Sequence, residues 1–332
     1  MAMTTRQRVV NTLRRQPVDR LPRIEWASWW NKTIERWVSE GLPEGMNGTQ
    51  IKEHFGLDVD IQFWVAGPTP REESDQVTDE ASYLAMKKKY TVADFEKIKP
   101  GLEAAARRQE NGDVIWMTLD GFFWYPRKLF GIEPHLYAFY DSPELMHHIN
   151  EDITAENLRI IEEITKIVTP DFMTFGEDMS YNLGPMLSEA TFDEFLLPYY
   201  KQVIPSLKKH DIIPLIDTDG DLTLMIPWLI RAGIEGALPL ERQAGVDVDK
   251  LQAEFPEFAL IGHFDKMTMF RAGEDAAIEA AMRQEFERLL PGMKRGKFIP
   301  SCDHQTPPSV SLTNYHAYLK LMNEYTVKAA QK

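Results

Sequence analysis

The chain has 332 residues, 43% of them hydrophobic and 27% charged, with 51 acidic residues against 37 basic ones and a formal net charge of -14. This is a globular composition, long enough for one large domain, and its acidity repels both a polyphosphate backbone and an anionic bilayer, which excludes nucleic acid and membrane as expected partners. A single cysteine, Cys302, forbids an intramolecular disulfide. No apolar run reaches the ~18 residues of a membrane span, and the basic, polar opening stretch lacks the apolar core of a signal peptide; a cytoplasmic location is expected.

In chain order, residues 4–15 predict a short helix capped by Thr4 or Thr5, with Val9, Val10 and Leu13 on one face. Leu21–Glu25 reads as a first strand, Asn31–Glu40 as a helix and Val59–Val65 as a second strand. Residues 66–110 are polar and mixed, with a Thr- or Lys-rich hairpin and then a helix near Leu102–Glu110. Val114–Leu119 follows the turn signal Asn111-Gly112-Asp113 as a third strand. Helices are expected from Pro143 and over Thr154–Ile167, then a strand at Phe172–Phe175 and a long helix over Thr191–Lys209, kinked near Pro198 or Pro205. Strands at Ile212–Ile216, Ala237–Leu240, Leu260–Gly262 and Phe298–Pro300 alternate with helices at Leu224–Arg231, Asp249–Glu254, Glu274–Leu290 and Asn314–Lys328. Eight strands alternating with helices predict an α/β fold, a (β/α)₈ TIM barrel with an N-terminal helical extension. The chain reads as one domain over 1–332, with an insertion or lid around 26–110. A doubly wound sheet competes, but no glycine-rich nucleotide motif follows a strand.

The strand ends carry a resemblance. Arg15-Gln16-Pro17-Val18-Asp19-Arg20-Leu21-Pro22, Gly176-Glu177-Asp178-Met179 with Gly184-Pro185-Met186-Leu187-Ser188, and Asp217-Thr218-Asp219-Gly220-Asp221 resemble, in that order, blocks of the uroporphyrinogen decarboxylase superfamily. So do Pro239-Leu240-Glu241 with Ala244-Gly245-Val246-Asp247, Gly262-His263-Phe264-Asp265-Lys266, and Pro300-Ser301-Cys302-Asp303-His304-Gln305-Thr306-Pro307-Pro308. The superfamily implies a (β/α)₈ barrel, and it holds both the haem-pathway decarboxylase and zinc-dependent methyltransferases that work with corrinoid proteins. The decarboxylase has an arginine-rich segment after its first strand; here Glu25-Trp26-Ala27-Ser28-Trp29-Trp30 has none. The thiol methyltransferases' His-x-Cys falls on Asp217 and Asp219, and their second cysteine on Cys302.

Acidic and imidazole groups at successive strand ends are the candidate site, because barrel enzymes gather their chemistry at the C-terminal ends of strands. Asp217, Asp219 and Asp221 alternate in an extended segment and share one side; three carboxylates together need a proton or a cation. The same spacing also suits a solvated turn with Asp221 as a helix cap. Asp217, Glu241, His263 and Glu177 are the expected catalytic groups. Asp219, Glu241, Cys302 and His304 are the expected ligands of zinc or another divalent metal, with Cys302 in the position that the resemblance gives to a zinc thiolate. Trp26, Trp29, Phe123, Trp124, Arg127 and Lys266 are expected to line the substrate pocket, although the aromatics equally suit a core and Lys266 a structural ion pair. The resemblance implies methyl transfer from a small methoxy- or methylamine-type substrate to a corrinoid protein. No DxHxxG element is present, so the corrinoid is expected on a partner. A metal-independent decarboxylase or related lyase is the alternative, and a non-catalytic binding protein on a barrel scaffold the third reading. A homodimer is an expected assembly.

Overall fold

Thr4 accepts a hydrogen bond from the Gln7 backbone while the Gln7 side chain returns one to Thr4, a capping box that starts the helix Thr5–Leu13 where the sequence places it. This computed structural model describes residues 2–70, 76–89, 95–271, 273 and 275–331. They form two compact units, one of residues 62–110 and 115–235, the other of residues 1–61, 111–114 and 236–332. The architecture is α/β.

The first of these units is built on β1 (Asp60–Val65), β2 (Val114–Asp120), β3 (Phe172–Gly176) and, after a short antiparallel hairpin of β4 (Ser180–Tyr181) and β5 (Gly184–Pro185), β6 (Ile213–Asp217). The strand order is β1-β2-β3-β6, and β2, β3 and β6 are parallel. β2 and β3 are buried at every residue, as strands covered on both faces must be. Trp116 stacks on Phe172 at 5.0 Å, and Tyr200 packs edge-on against Phe122 and Phe175. The helices differ from expectation in three places. Pro143–Thr165 is one continuous helix. The long helix expected over Thr191–Lys209 is broken at Leu196 into Glu189–Phe195 and Leu197–Lys209, because Pro198 lacks an N–H and its ring crowds the preceding turn. Of the expected hairpin region, residues 71–75 and 90–94 lie outside the described residues; Glu80–Lys89 and Phe95–Glu110 are helices, and the lysine run ends the first of them, with Lys87 paired to Asp152.

The other unit holds β7 (Gly236–Leu238), β8 (Ala259–Phe264) and β9 (Phe298–Cys302), parallel and in that order. The helix Asp275–Arg295 joins β8 to β9; Glu274, its expected first residue, lies outside the described residues. Phe286 stacks between Tyr318 and Tyr325 and meets Phe264, and a second aromatic group joins Trp29, Trp37, Phe55 and Tyr315. Leu21–Glu25 is extended but joins no ladder: Pro22 has no N–H to give, and the neighbouring groups bond to Thr326 and Asp58 instead. β7 stops at Leu238, two residues short of the expected end, where Pro239 removes a donor and Leu240 turns to φ +60°. The Pro17–Pro22 stretch is a staple: Asp19 takes two bonds from Arg8, and Arg20 grips Asp58 bidentately.

Candidate active site

Strand register aligns the first cluster. Asp120 on β2 lies opposite Gly176 on β3, and Gly176 lies opposite Asp217 on β6. Neighbouring strands are about 4.8 Å apart, so the two carboxylates leave the backbone roughly 10 Å apart with only a glycine between them. One rung below, Gln62 donates to the Thr118 hydroxyl at 2.8 Å, and the Thr118 and Thr174 hydroxyls are bonded at 2.8 Å. Side chains alternate along a strand, so Asp120, two residues past Thr118, falls on this same face. Asp120 Oδ2 accepts from Lys128 Nζ at 2.6 Å and from the Gly67 N–H at 2.7 Å, while buried Oδ1 has no partner. Trp64, 52% exposed, lies over Gly176: a Cβ there would stand 3.4 Å from the indole. Asp217 is half-buried, and burial, followed by the charges of Asp178 and Asp219, pushes its carboxyl well above the ordinary carboxylate range.

Glu177 comes next after β3 but is already fully engaged. Its two oxygens accept the N–H groups of Phe122 and Phe123 at 2.8 Å and of Trp124 at 3.0 Å, and the Tyr200 hydroxyl. The carboxylate thus holds the first turn of the helix Trp124–Phe130, and Gly121 is required there because a Cβ would lie 2.0 Å from Glu177 Cδ. Burial outweighs these donors and lifts Glu177 to about 7. Asp221 accepts from the Thr223 N–H at 3.0 Å in a local turn; the residue at the N-cap of the short helix that follows is Leu222. Asp219 is half-buried, and its carbonyl accepts from Ser180 at 2.6 Å. Trp124 is half-buried beneath the Arg127 guanidinium, 5.2 Å from the ring, and Arg127 donates to the Asp178 carbonyl at 2.9 Å. Phe123, expected in the pocket wall, is instead fully buried against His135 and Phe139, because Glu177 draws its backbone inward.

In the other unit, the loops after β7, β8 and β9 meet at Asp303. Its buried carboxylate accepts from Lys266 Nζ at 2.9 Å and from the Arg242 N–H at 3.2 Å. Burial raises its pKa and Lys266 opposes that rise, so Lys266 is the partner of a buried acid. His263 is completely buried at φ +73°; its Nδ1 donates to the Leu240 carbonyl at 3.0 Å and its Nε2 has no partner. Burial lowers it to about 4, and the charges nearest it are Arg288, Glu285 and Arg242, so it stands neutral beside the helix Asp275–Arg295. Glu241 is half-buried at the start of the turn Arg242–Ala244. Cys302 is buried; its N–H and the Ser301 hydroxyl bond to Glu25, which also accepts from Tyr318 at 2.7 Å. Burial, with the charges of Glu25 and Asp303, pushes the Cys302 thiol well up. His304 is half-buried, its Nδ1 accepting from the Gln305 N–H at 2.8 Å and its ring meeting Trp26 edge-on at 5.8 Å. Trp26 donates to the Cys302 carbonyl at 3.0 Å. Trp29 belongs to the aromatic core, not to an open wall, because Trp37, Phe55 and Tyr315 enclose it.

Zinc needs deprotonated sulfur or gathered imidazole and carboxylate donors. Among the described residues, no three of His, Cys, Asp and Glu form a group able to hold a metal ion. The residues present do not fit the expected ligand set.

The structure also brings forward residues that the sequence pattern passes over. Asp120 ends its apolar strand as Asp217 does, and that shared pattern was the available signal. Lys128 and the Thr118–Thr174 rung had none, since they are defined only by register. His135, buried with neither ring nitrogen partnered, sits within a helix whose pattern is ordinary.

The family model for uroporphyrinogen decarboxylase (URO-D) matches residues 131–325, more than half of the chain. No curated protein matches it. Among solved structures, a methyltransferase from Methanosarcina mazei is similar over 97% of this chain and 99% of that one, with a TM-score of 0.68 and 14% identity, a likeness of fold. The chain belongs to the uroporphyrinogen decarboxylase family.

Proposed function

We propose that this protein is a methyltransferase-like enzyme of its family, moving a methyl group from a small methoxy- or methylamine-type substrate to a corrinoid protein. The observation that carries the reading is Asp217, a half-buried carboxyl at the end of β6 whose surroundings disfavour its charge. Methyl transfer breaks a carbon–heteroatom bond, and the heteroatom leaves well only if its developing charge is cancelled. Asp217 meets that need in either case. With an ether it hands its proton to the oxygen, and with a methylated ammonium its ionised form balances the nitrogen's charge. Lys128 pairs with Asp120 two strands away, and Trp64 packs over the Gly176 between them. The corrinoid of a partner protein would supply the methyl-accepting chemistry. No step is assigned to zinc. The fold behind the proposal is the (β/α)₈ barrel over a single domain, with the extended Leu21–Glu25 segment tied to β9 through the Glu25 carboxylate, which accepts from the Cys302 N–H.

The fold of the similar Methanosarcina mazei methyltransferase supports the reading, as does the missing arginine after Glu25, which a substrate rich in carboxylates would require. The test is single-turnover methylation of reduced free cobalamin by the purified protein with methoxy compounds and methylamines. Methylated cobalamin that disappears in Asp217→Asn supports the proposal. Decarboxylation of a carboxylated substrate without methyl transfer would replace it with the lyase reading.

A further inference from the structure

The helices Thr5–Leu13, Asp275–Arg295 and Leu312–Ala330, all of one unit, end around a cavity of about 560 Å³. The cavity lies beside Gly296, two residues before β9, and so at the opposite end of that strand from Cys302 and Asp303. Four residue steps of about 3.3 Å put roughly 13 Å of strand between them. Val18, Leu21, Met293 and Ala330 give the cavity an apolar wall. Arg15, Lys294 and Arg295 line it as well, and among the described residues no acidic side chain does. In a chain of net charge -14, a recess with cations and no carboxylate reverses the general surface.

Cations at helix ends are ordinary, because the last carbonyls attract them, so the charges alone mark no site. Their bonding shows what is still available. Arg15 uses Nη1 on Glu257 and Nη2 on the Pro256 carbonyl, and Arg295 uses Nε on Gln252 and Nη2 on Asp249. A guanidinium carries N–H donors on all three nitrogens, which leaves Arg15 Nε and Arg295 Nη1. The carboxylates of Glu257 and Asp249 are 73% and 49% exposed, where an ion pair is weak and a ligand competes on even terms. Lys294 is exposed and has no carboxylate partner among the described residues. Thr12 is an independent observation. It lines the cavity at 2% exposure, and its hydroxyl has no hydrogen-bond partner. Buried polar atoms are normally paired, and the cavity is the open space beside this one.

From these observations we infer that the cavity binds a small carboxylate with an apolar body. Lys294, Arg15 and Arg295 attract the carboxylate, and the carbon chain lies against Val18, Leu21, Met293 and Ala330. Thr12 offers its hydroxyl to the same ligand. A bare inorganic anion lacks the body that the wall rewards, and an uncharged alcohol lacks the charge that the cations reward. Binding involves no covalent step, and the site stands whether or not the protein transfers methyl groups.

The test is calorimetric titration of the wild-type protein with octanoate, 1-octanol, octylammonium and acetate. Octanoate is expected to bind at least about tenfold more tightly than each of the other three. Shortening it to hexanoate should weaken binding roughly fourfold to fifteenfold, the loss of two buried CH₂ groups. Added salt should weaken octanoate and leave octanol unchanged. Lys294→Gln should weaken octanoate at least about threefold. Ala330→Trp fills the cavity without touching a charge and should remove octanoate binding. Equal affinity for octanoate and octanol, or an octanoate affinity unchanged by Lys294→Gln, would overturn the inference, the second result placing octanoate elsewhere on the protein. The ligand comparisons use the wild type and Lys294 is exposed, so the test decides even where Ala330→Trp fails to fold.

Discussion

Asp120 and Asp217 end two strands of one unit in the same register row, with Gly176 alone between them. The glycine is a usable probe because an added Cβ would meet Thr118 Cγ2 and Trp64 Cζ2 at 3.4 Å, a tight but tolerable contact. Gly176→Ala is expected to change unfolding free energy by less than about 1 kcal/mol while lowering kcat/KM at least about tenfold. Chemical denaturation and steady-state kinetics on one preparation check both.

Asp217 is held at a cost to stability. Its folded pKa is raised, so the folded state binds a proton that the unfolded chain has already released, and folding free energy worsens as pH rises from the ordinary carboxylate range toward the raised value. Asp217→Asn removes the charge and keeps the shape. The variant is expected to be more stable than wild type near pH 8 by about 0.5–2 kcal/mol, with the difference shrinking on acidification. Urea unfolding at several pH values measures it.

Glu177 works by holding backbone in place. Glu177→Ala would strand three N–H groups at the head of the helix Trp124–Phe130 and is expected to cost about 3–5 kcal/mol. Tyr200→Phe removes one of the four donors and is expected to cost about 1–2 kcal/mol. A thermal melt in which Glu177→Ala matches wild type would contradict the structural role.

Two buried histidines bear on stability in acid. Burial lowers His135 to about 3 and His263 to about 4. Each therefore contributes stability that is whole above the unfolded value near 6.5 and is lost as pH falls toward those folded values, because the unfolded chain takes up the proton first. Neither nitrogen of His135 has a partner, and its ring touches Phe123 and Phe139. His135→Phe is expected to stabilise by about 1–3 kcal/mol at neutral pH and to shift the acid-unfolding midpoint downward. A midpoint unchanged by that substitution would contradict the assignment.

The sequence made the alternation of strands and helices legible because apolar runs such as Val114–Leu119 and Phe172–Phe175 are bounded by turns and acids. It misread Leu21–Glu25, where apolar spacing suggests a strand but Pro22 cannot join a ladder. It merged two helices across Leu196, although Pro198 marked the break. At the site, Asp217 was legible as an acid at a strand end, whereas the Asp120–Gly176–Asp217 row was not, since it exists only through the pairing of residues about fifty positions apart. Glu177, Trp29 and Phe123 carried the right residue types, but their side chains are turned inward by bonds to backbone and by aromatic packing that no single segment encodes.

The most direct measurement of the central claim is the transfer of an isotopically labelled methyl group from a trial substrate to reduced cobalamin, run with wild type and Asp217→Asn in parallel. The account predicts labelled methylcobalamin with wild type and a rate at least about 100-fold lower with Asp217→Asn, a loss of about 2.7 kcal/mol in transition-state stabilisation. Equal rates in the two proteins would contradict it.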